Sequence, residues 1–122
     1  MLTIEAVELV AKKNFKVRLS KQAKVKIKKN RAYLEKVVNS GERVYGVNTG
    51  FGLLANTEIN KKDLKELQLN LIRSHSVGVG PFLSEEEVRA IMLLRANVLA
   101  KGYSGVRVAL VQKIIELLNK GV

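Results

Sequence analysis

The stretch Ser84-Glu85-Glu86-Glu87, with the apolar positions that follow it over residues 88–99, decides the fold class of this 122-residue chain. A serine with a glutamate three positions later forms a capping box, and acidic residues in the first turn interact favourably with the helix dipole. Apolar residues then recur at helical spacing as far as Gly102. The pattern predicts a helix that is capped by Ser84 and runs to Gly102, with apolar residues over a wide face.

Four further helices are predicted around this one, each from a cap residue and a periodic apolar face. With their cap residues, they span about 3–13 (Thr3), 20–40 (Ser20), 60–74 (Asn60 with Asp63) and 106–119 (Ser104). Residues 15–19 alternate apolar and basic side chains, which is typical of an extended segment. We therefore predict a mainly α-helical chain with Gly-rich loops between its helices.

The net charge of +11 comes from 22 basic and 11 acidic residues, and residues 1–43 carry most of the excess. Two interpretations stand: a lysine-rich solvated face, which we favour, and a nucleic-acid surface. No aromatic residues are interleaved with the lysines along the sequence, so the sequence predicts no stacking platform and makes nucleic acid the weaker interpretation.

Cysteine is absent and histidine occurs once, which excludes disulfides and cysteine nucleophiles and leaves little for a zinc site, so we expect no metal. Met1 is followed by mixed acidic and apolar residues rather than by a basic start and an apolar run. No apolar stretch is long enough to span a membrane. We expect a cytoplasmic protein.

The run Tyr45-Gly46-Val47-Asn48-Thr49-Gly50-Phe51-Gly52 is the first candidate functional segment. Its glycine spacing matches neither the dinucleotide fingerprint nor the P-loop. Alone, it is most often a tight turn. The tyrosine favours a functional role for this turn, because a phenol can act as a general base where its phenolate is stabilised. The neighbouring glycines leave room for a substrate.

The only histidine, His75, ends the predicted third helix and precedes a second Gly-rich loop over residues 76–83. Alone, such a residue is more often hydrogen-bonded to the helix end than catalytic. Its helix begins shortly after the Tyr45 loop, so the two loops could lie at the same end of the fold.

These runs, together with residues 67–76, Arg95 and residues 102–107, resemble the aromatic amino acid ammonia-lyase family, and within it the histidine ammonia-lyases. The resemblance extends over nearly the whole chain. It implies the N-terminal helical part of the all-α, fumarase/aspartase-like lyase fold. It also implies conversion of L-histidine to urocanate and ammonia, with an amino acid as the small-molecule substrate.

By the same resemblance, Tyr45 is the catalytic base and His75 contacts the substrate or assists that base. The remaining implied site residues, which shape the loop or bind substrate, are Asn48, Thr49, Gly50 and Gly52. The family's electrophile, methylidene-imidazolone, forms from an internal Ala-Ser-Gly. This chain contains no such triad, since Asn39-Ser40-Gly41 and Tyr103-Ser104-Gly105 differ at the first residue.

We therefore expect residues 1–122 to be the N-terminal segment of a lyase that ends before the triad. Such a segment would be inactive alone and would need the rest of the chain and the other subunits of a homotetramer. Two alternatives are a stand-alone helical module that binds a partner and a fragment of a tyrosine lyase or aminomutase. The apolar residues on several faces of helices 88–100 and 106–118 predict that the isolated chain self-associates, exchanges helices between copies or is loosely packed.

Overall fold

In the computed structural model, the described residues are 2–52, 57, 59, 60 and 62–122, and they form five α-helices. The helices are α1 (Ile4–Lys13), α2 (Lys21–Ser40), α3 (Leu64–His75), α4 (Glu85–Ala100) and α5 (Val108–Lys120). The chain divides into two units. The first unit combines Met1–Leu34 with Phe82–Val122, and the second unit is Glu35–Pro81. The mainly α-helical prediction is confirmed.

Three of the predicted helix caps are confirmed by hydrogen bonds. The Thr3 hydroxyl accepts from Ala6 N at 3.2 Å, and the Ser20 hydroxyl accepts from Ala23 N at 3.1 Å. Ser84 and Glu87 form the complete capping box, in which Glu87 Oε2 also accepts from Ser84 N at 2.8 Å. These caps satisfy backbone donors that have no partner within the helix.

Two predicted helix starts are wrong. The N-cap of α3 is Asp63 without a side-chain capping bond, and Asn60 meets it through the backbone, since Asp63 N donates to Asn60 O at 2.9 Å. The N-cap of α5 is Arg107 rather than Ser104. The turn before α5 is held by a distant residue, since Gly105 N donates to Asn30 Oδ1 at 2.6 Å, and no local sequence signal reports that bond.

The first unit is built on α4, which packs against α1 and α5. One buried cluster joins α2, α4 and α5 through Ile27, Ala96, Leu99, Val111 and Ile115. A second cluster joins α1, α4 and α5 through Val10, Leu93 and Leu118. The apolar face of α5 is therefore largely covered within the unit, which the sequence did not predict.

A buried guanidinium ties three of these helices together. Arg89 of α4 is 5% exposed and donates to the carbonyl oxygens of Val10, Ala11 and Leu118 over 2.9–3.2 Å. These carbonyls lie near the C-terminal ends of α1 and α5, where a cation interacts favourably with the helix dipole. Arg89 therefore links both helix ends to α4.

The extended segment before α2 is held by the last turn of α5. The Asn119 side-chain amide accepts from Val17 N at 2.9 Å and donates to Val17 O at 2.8 Å. One amide thus satisfies both backbone groups of a residue that belongs to no helix. Across the described residues, no helix is long and apolar enough to cross a membrane.

Candidate active site

Asn48 holds the Gly-rich loop of the second unit from inside. Its side chain is 6% exposed. Its Oδ1 accepts from Val44 N at 2.8 Å, and its Nδ2 donates to Glu42 O at 2.7 Å. The loop backbone engages both the donor and the acceptor of this buried amide. Asn48 therefore fixes the path of residues 42–48.

The next residues of the loop pair with the segment that follows it. Gly50 N donates to Thr57 O at 3.0 Å, and Ile59 N donates to Asn48 O at 3.1 Å. Between these bonds Thr49 is 3% exposed, and its hydroxyl donates to Gly50 O at 3.0 Å. The loop is therefore closed by backbone pairing, with Thr49 turned into its interior.

Tyr45 is presented on the outside of this loop. The side chain is 65% exposed. The Tyr45 and Phe51 rings meet edge to face, with centroids 6.2 Å apart and planes at 68°. Gly46 follows the tyrosine with φ +74°, a left-handed conformation that favours glycine. The loop thus places the ring against Phe51 while most of the Tyr45 side chain stays exposed.

His75 is the last residue of α3, and its side chain is exposed. Its Nδ1 lies 2.9 Å from Leu71 O and 3.0 Å from Ser74 Oγ. A carbonyl oxygen only accepts, so the bond to Leu71 assigns the ring proton of the neutral form to Nδ1. Nε2 is then left with a free lone pair toward solvent.

The fold brings most of the predicted site residues together in one loop, namely Tyr45, Asn48, Thr49, Gly50 and Gly52. His75 lies in the same unit on a different element, and no hydrogen bond joins it to the loop among the described residues. Phe51 was not singled out from the sequence. An aromatic residue six positions after Tyr45, across Gly46, is the signal that could have identified it as the partner of that ring.

The residues of this chain do not fit the electrophile that the resemblance implies. Two Ser-Gly pairs lack the alanine that the Ala-Ser-Gly triad requires before the serine. In the first pair, Ser40 Oγ donates to Val37 O at 2.8 Å. In the other pair, Gly105 N is engaged by Asn30. We assign no electrophile to these residues. Among the described residues, no group of three His, Asp or Glu side chains is placed to hold a metal ion.

Comparison with known proteins identifies relatives along the whole chain. The family model for aromatic amino acid lyases matches residues 2–122. Histidine ammonia-lyase from Clostridium tetani is 50% identical over 121 residues, and that from Caldanaerobacter subterraneus subsp. tengcongensis is 52% identical over the same length. Each alignment covers 99% of this chain but 24% of the relative, so the chain spans about a quarter of these proteins.

The fold has the same relatives. The crystal structure of tyrosine aminomutase from Streptomyces globisporus superimposes with a TM-score of 0.94 at 40% identity. That match covers 99% of this chain and 23% of the aminomutase chain. With a family model that matches residues 2–122 and a superposition of this quality, the chain belongs to the aromatic amino acid lyase family.

Proposed function

We propose that this chain supplies the Tyr45 loop and His75 to a histidine ammonia-lyase, which converts L-histidine to urocanate and ammonia, and that it is inactive alone. The relatives named histidine ammonia-lyase support this substrate. The observation that carries the proposal is the Tyr45 side chain, which is 65% exposed on a loop whose own polar side chains are engaged internally.

Tyr45 acts in this proposal as the base that removes the β-proton of the substrate. A base must reach the proton that it takes, and its orientation must be fixed beforehand. The Phe51 ring and the left-handed Gly46 hold the ring of Tyr45, and its largely exposed side chain is accessible to a substrate. Asn48, Thr49, Gly50 and Gly52 shape the loop around it.

His75 contacts the substrate or assists Tyr45. Its Nδ1 is engaged at the end of α3, so Nε2 is the nitrogen that accepts a hydrogen bond. An imidazole that accepts through Nε2 suits a substrate N–H or the phenol O–H.

The rest of the enzyme is part of the proposal. The electrophile, methylidene-imidazolone, would come from an Ala-Ser-Gly outside these 122 residues, and it supplies the activation that a phenol alone lacks. We propose that the complete enzyme is a cytoplasmic homotetramer that acts in histidine catabolism. The relatives are about four times as long as this chain, and their additional length is sufficient to contain the Ala-Ser-Gly and the rest of the enzyme.

A tyrosine lyase or aminomutase is the second candidate for the complete protein. The observation in its favour is the superposition on tyrosine aminomutase at a TM-score of 0.94. The 40% identity to that enzyme is below the 50% identity to the Clostridium tetani histidine ammonia-lyase, which is why we place histidine first.

A chimera tests the proposal. This chain replaces the matching quarter of the Clostridium tetani relative, and the product is incubated with L-histidine while the ultraviolet absorbance of urocanate is followed. We expect turnover by the chimera and none by the 122-residue chain. Turnover by the pure chain, or a folded chimera without activity, would contradict the proposal. The same chimera incubated with L-tyrosine tests the second candidate.

A further inference from the structure

A groove on the first unit has a chemistry that the lyase reaction does not use. It lies between α2 and the turn that joins α4 to α5, and its volume is about 360 Å³. Its side chains are three lysines, two tyrosines and one asparagine, namely Lys26, Lys29, Lys101, Tyr33, Tyr103 and Asn30. We call it the Tyr33–Tyr103 groove. Its volume is within the range of small-molecule sites, which begins at about 300 Å³.

The two walls of the groove are fixed to each other. Asn30 Oδ1 accepts from Gly105 N at 2.6 Å, and Arg31 Nη1 donates to Gly105 O at 3.2 Å. Gly102 has φ +80°, and a Cβ on it would lie 2.9 Å from the backbone carbonyl carbon of Lys26. Such contact requires glycine, so the turn sits directly on α2 and the groove is preformed.

The groove is cationic. Lys26, Lys29 and Lys101 line it, and no carboxylate does. Within the part of the chain that the structure describes, none of these three ammonium groups forms an ion pair. Three lysines without ion pairs in the lining of one groove give it a positive potential, which attracts an anion with several charges, such as a chain of phosphates.

Two tyrosines line the same groove as these lysines. Tyr33 is 67% exposed and Tyr103 is 85% exposed. The two residues are 70 positions apart in sequence, so the local pattern of the chain could not show them beside the same lysines. Exposed tyrosine rings next to ammonium groups are what a nucleic-acid base and its phosphates require, because the base stacks on a ring while the phosphates meet the cations.

We propose that the Tyr33–Tyr103 groove binds a nucleoside phosphate, with the phosphates on Lys26, Lys29 and Lys101 and the base on a tyrosine ring. An inorganic polyphosphate would use the lysines but not the rings. The ligand is either a free nucleotide or a nucleotide of a single strand, and both present the same chemistry. The groove lies within the first unit, so the inference is independent of the proposed lyase chemistry.

Calorimetry of ATP binding to the dilute 122-residue chain at low salt tests whether the groove lysines hold the phosphates. Lys26→Gln with Lys29→Gln should weaken ATP binding by about tenfold or more. The matched control is Lys21→Gln with Lys28→Gln, which removes the same charge from α2 outside the groove. We expect little change in the control. Equal weakening in both double variants would overturn the proposal, since the net charge alone would then explain binding.

The rings are tested with ATP and inorganic tripolyphosphate. Tyr103→Ala should weaken ATP binding by on the order of tenfold and leave tripolyphosphate binding unchanged, whereas Tyr103→Phe keeps the ring and should restore ATP binding. Tripolyphosphate that binds the wild-type chain as tightly as ATP would overturn the proposal. Thymidine triphosphate compared with a short oligothymidylate identifies the source: tighter binding of the oligonucleotide assigns a strand, and equal binding assigns a free nucleotide.

Discussion

At the scale of single residues, the Tyr45 loop separates two tasks. Asn48 and Thr49 are almost fully buried, and the loop itself uses their polar groups. Tyr45 makes an aromatic contact with Phe51, and its side chain stays largely exposed. The residues that stabilise the loop are therefore different from Tyr45, for which we propose the catalytic role, and the two groups should respond differently to mutation.

The first prediction concerns Tyr45 in the active chimera. Tyr45→Phe should lower kcat by a factor on the order of 10² or more, which is the usual contribution of a general base. Phenylalanine keeps the ring that meets Phe51, so the unfolding temperature should stay the same. Stopped-flow and steady-state measurement of urocanate formation give kcat. A kcat close to that of the unmodified chimera would remove Tyr45 from the mechanism.

The sequence predicts this loop because the loop is a local feature, but it does not predict the contacts that the loop makes in three dimensions. The run from Tyr45 to Gly52 lies within eight positions, so composition alone marks it as a loop. The spacing of Tyr45 and Phe51 across Gly46 is a sequence signal for a ring pair, but only the three-dimensional structure shows that the two rings meet. The roles of Tyr45 and His75 stay predictions.

At the scale of helices, the sequence predicts the helix ends that depend on local bonds and misses those that depend on distant residues. Thr3, Ser20 and Ser84 were predicted as caps and make the capping bonds, because those bonds span three residues. The start of α5 was predicted wrongly, because Asn30 of α2 binds the turn that precedes it. Arg89 gave no sequence signal at all, since its partners are the distant ends of α1 and α5.

The second prediction concerns this buried guanidinium. Arg89→Met leaves the carbonyls of Val10, Ala11 and Leu118 without their charged donor and should lower the free energy of unfolding by about 2–4 kcal/mol. Arg95→Met is the matched control, because Arg95 is exposed on the same helix. Urea denaturation measures both. Equal losses in the two variants would mean that the buried hydrogen bonds contribute nothing specific.

The third prediction concerns pH and the capping box of α4. The Ser84 hydroxyl and the Ser84 backbone N–H donate to Glu87 and hold the pKa of this carboxyl below its usual range. Its stabilising contribution is therefore complete above the unfolded pKa, near about 4.3, and is lost as the pH falls through the folded value. Glu87→Gln should reduce the loss of stability on acidification below that pH.

Thermal unfolding of the wild-type chain and the variant between neutral and acidic pH measures this effect. Glu85→Gln is the control, because it removes the same charge from the first turn and leaves the capping bonds in place. An identical pH dependence in wild type and Glu87→Gln would show that the capping carboxylate does not contribute to acid sensitivity.

At the scale of the whole molecule, the two C-terminal helices differ in how well they are covered. Val111, Ile115 and Leu118 of α5 are buried, whereas Leu110 of that helix is exposed. On α4, an apolar row at helical spacing is exposed, and its members are Val88, Ile91, Leu94 and Val98. The sequence predicted open faces on both helices, and the structure places the larger one on α4.

The fourth prediction is that the isolated chain self-associates through this row. Each fully buried Leu or Ile side chain contributes about 1.5–3 kcal/mol relative to exposure, so contact between such rows is favourable. Light scattering should show a mass that rises with protein concentration. Ile91→Glu should suppress the rise, and Val25→Glu, at an exposed apolar position of α2, should not. A monomer at every concentration would favour a stand-alone module.

The amide of Asn119 sets an order for biosynthesis. It fixes the backbone of Val17, which was made 102 residues earlier. At a translation rate of about 5–20 residues per second, the N-terminal segment waits for about 5–20 s before its partner is made. Arg89 makes a second late contact, because its guanidinium, which also binds Val10 of α1, donates to Leu118 of α5. On the ribosome, we expect these contacts of the first unit to form only after α5 has been made.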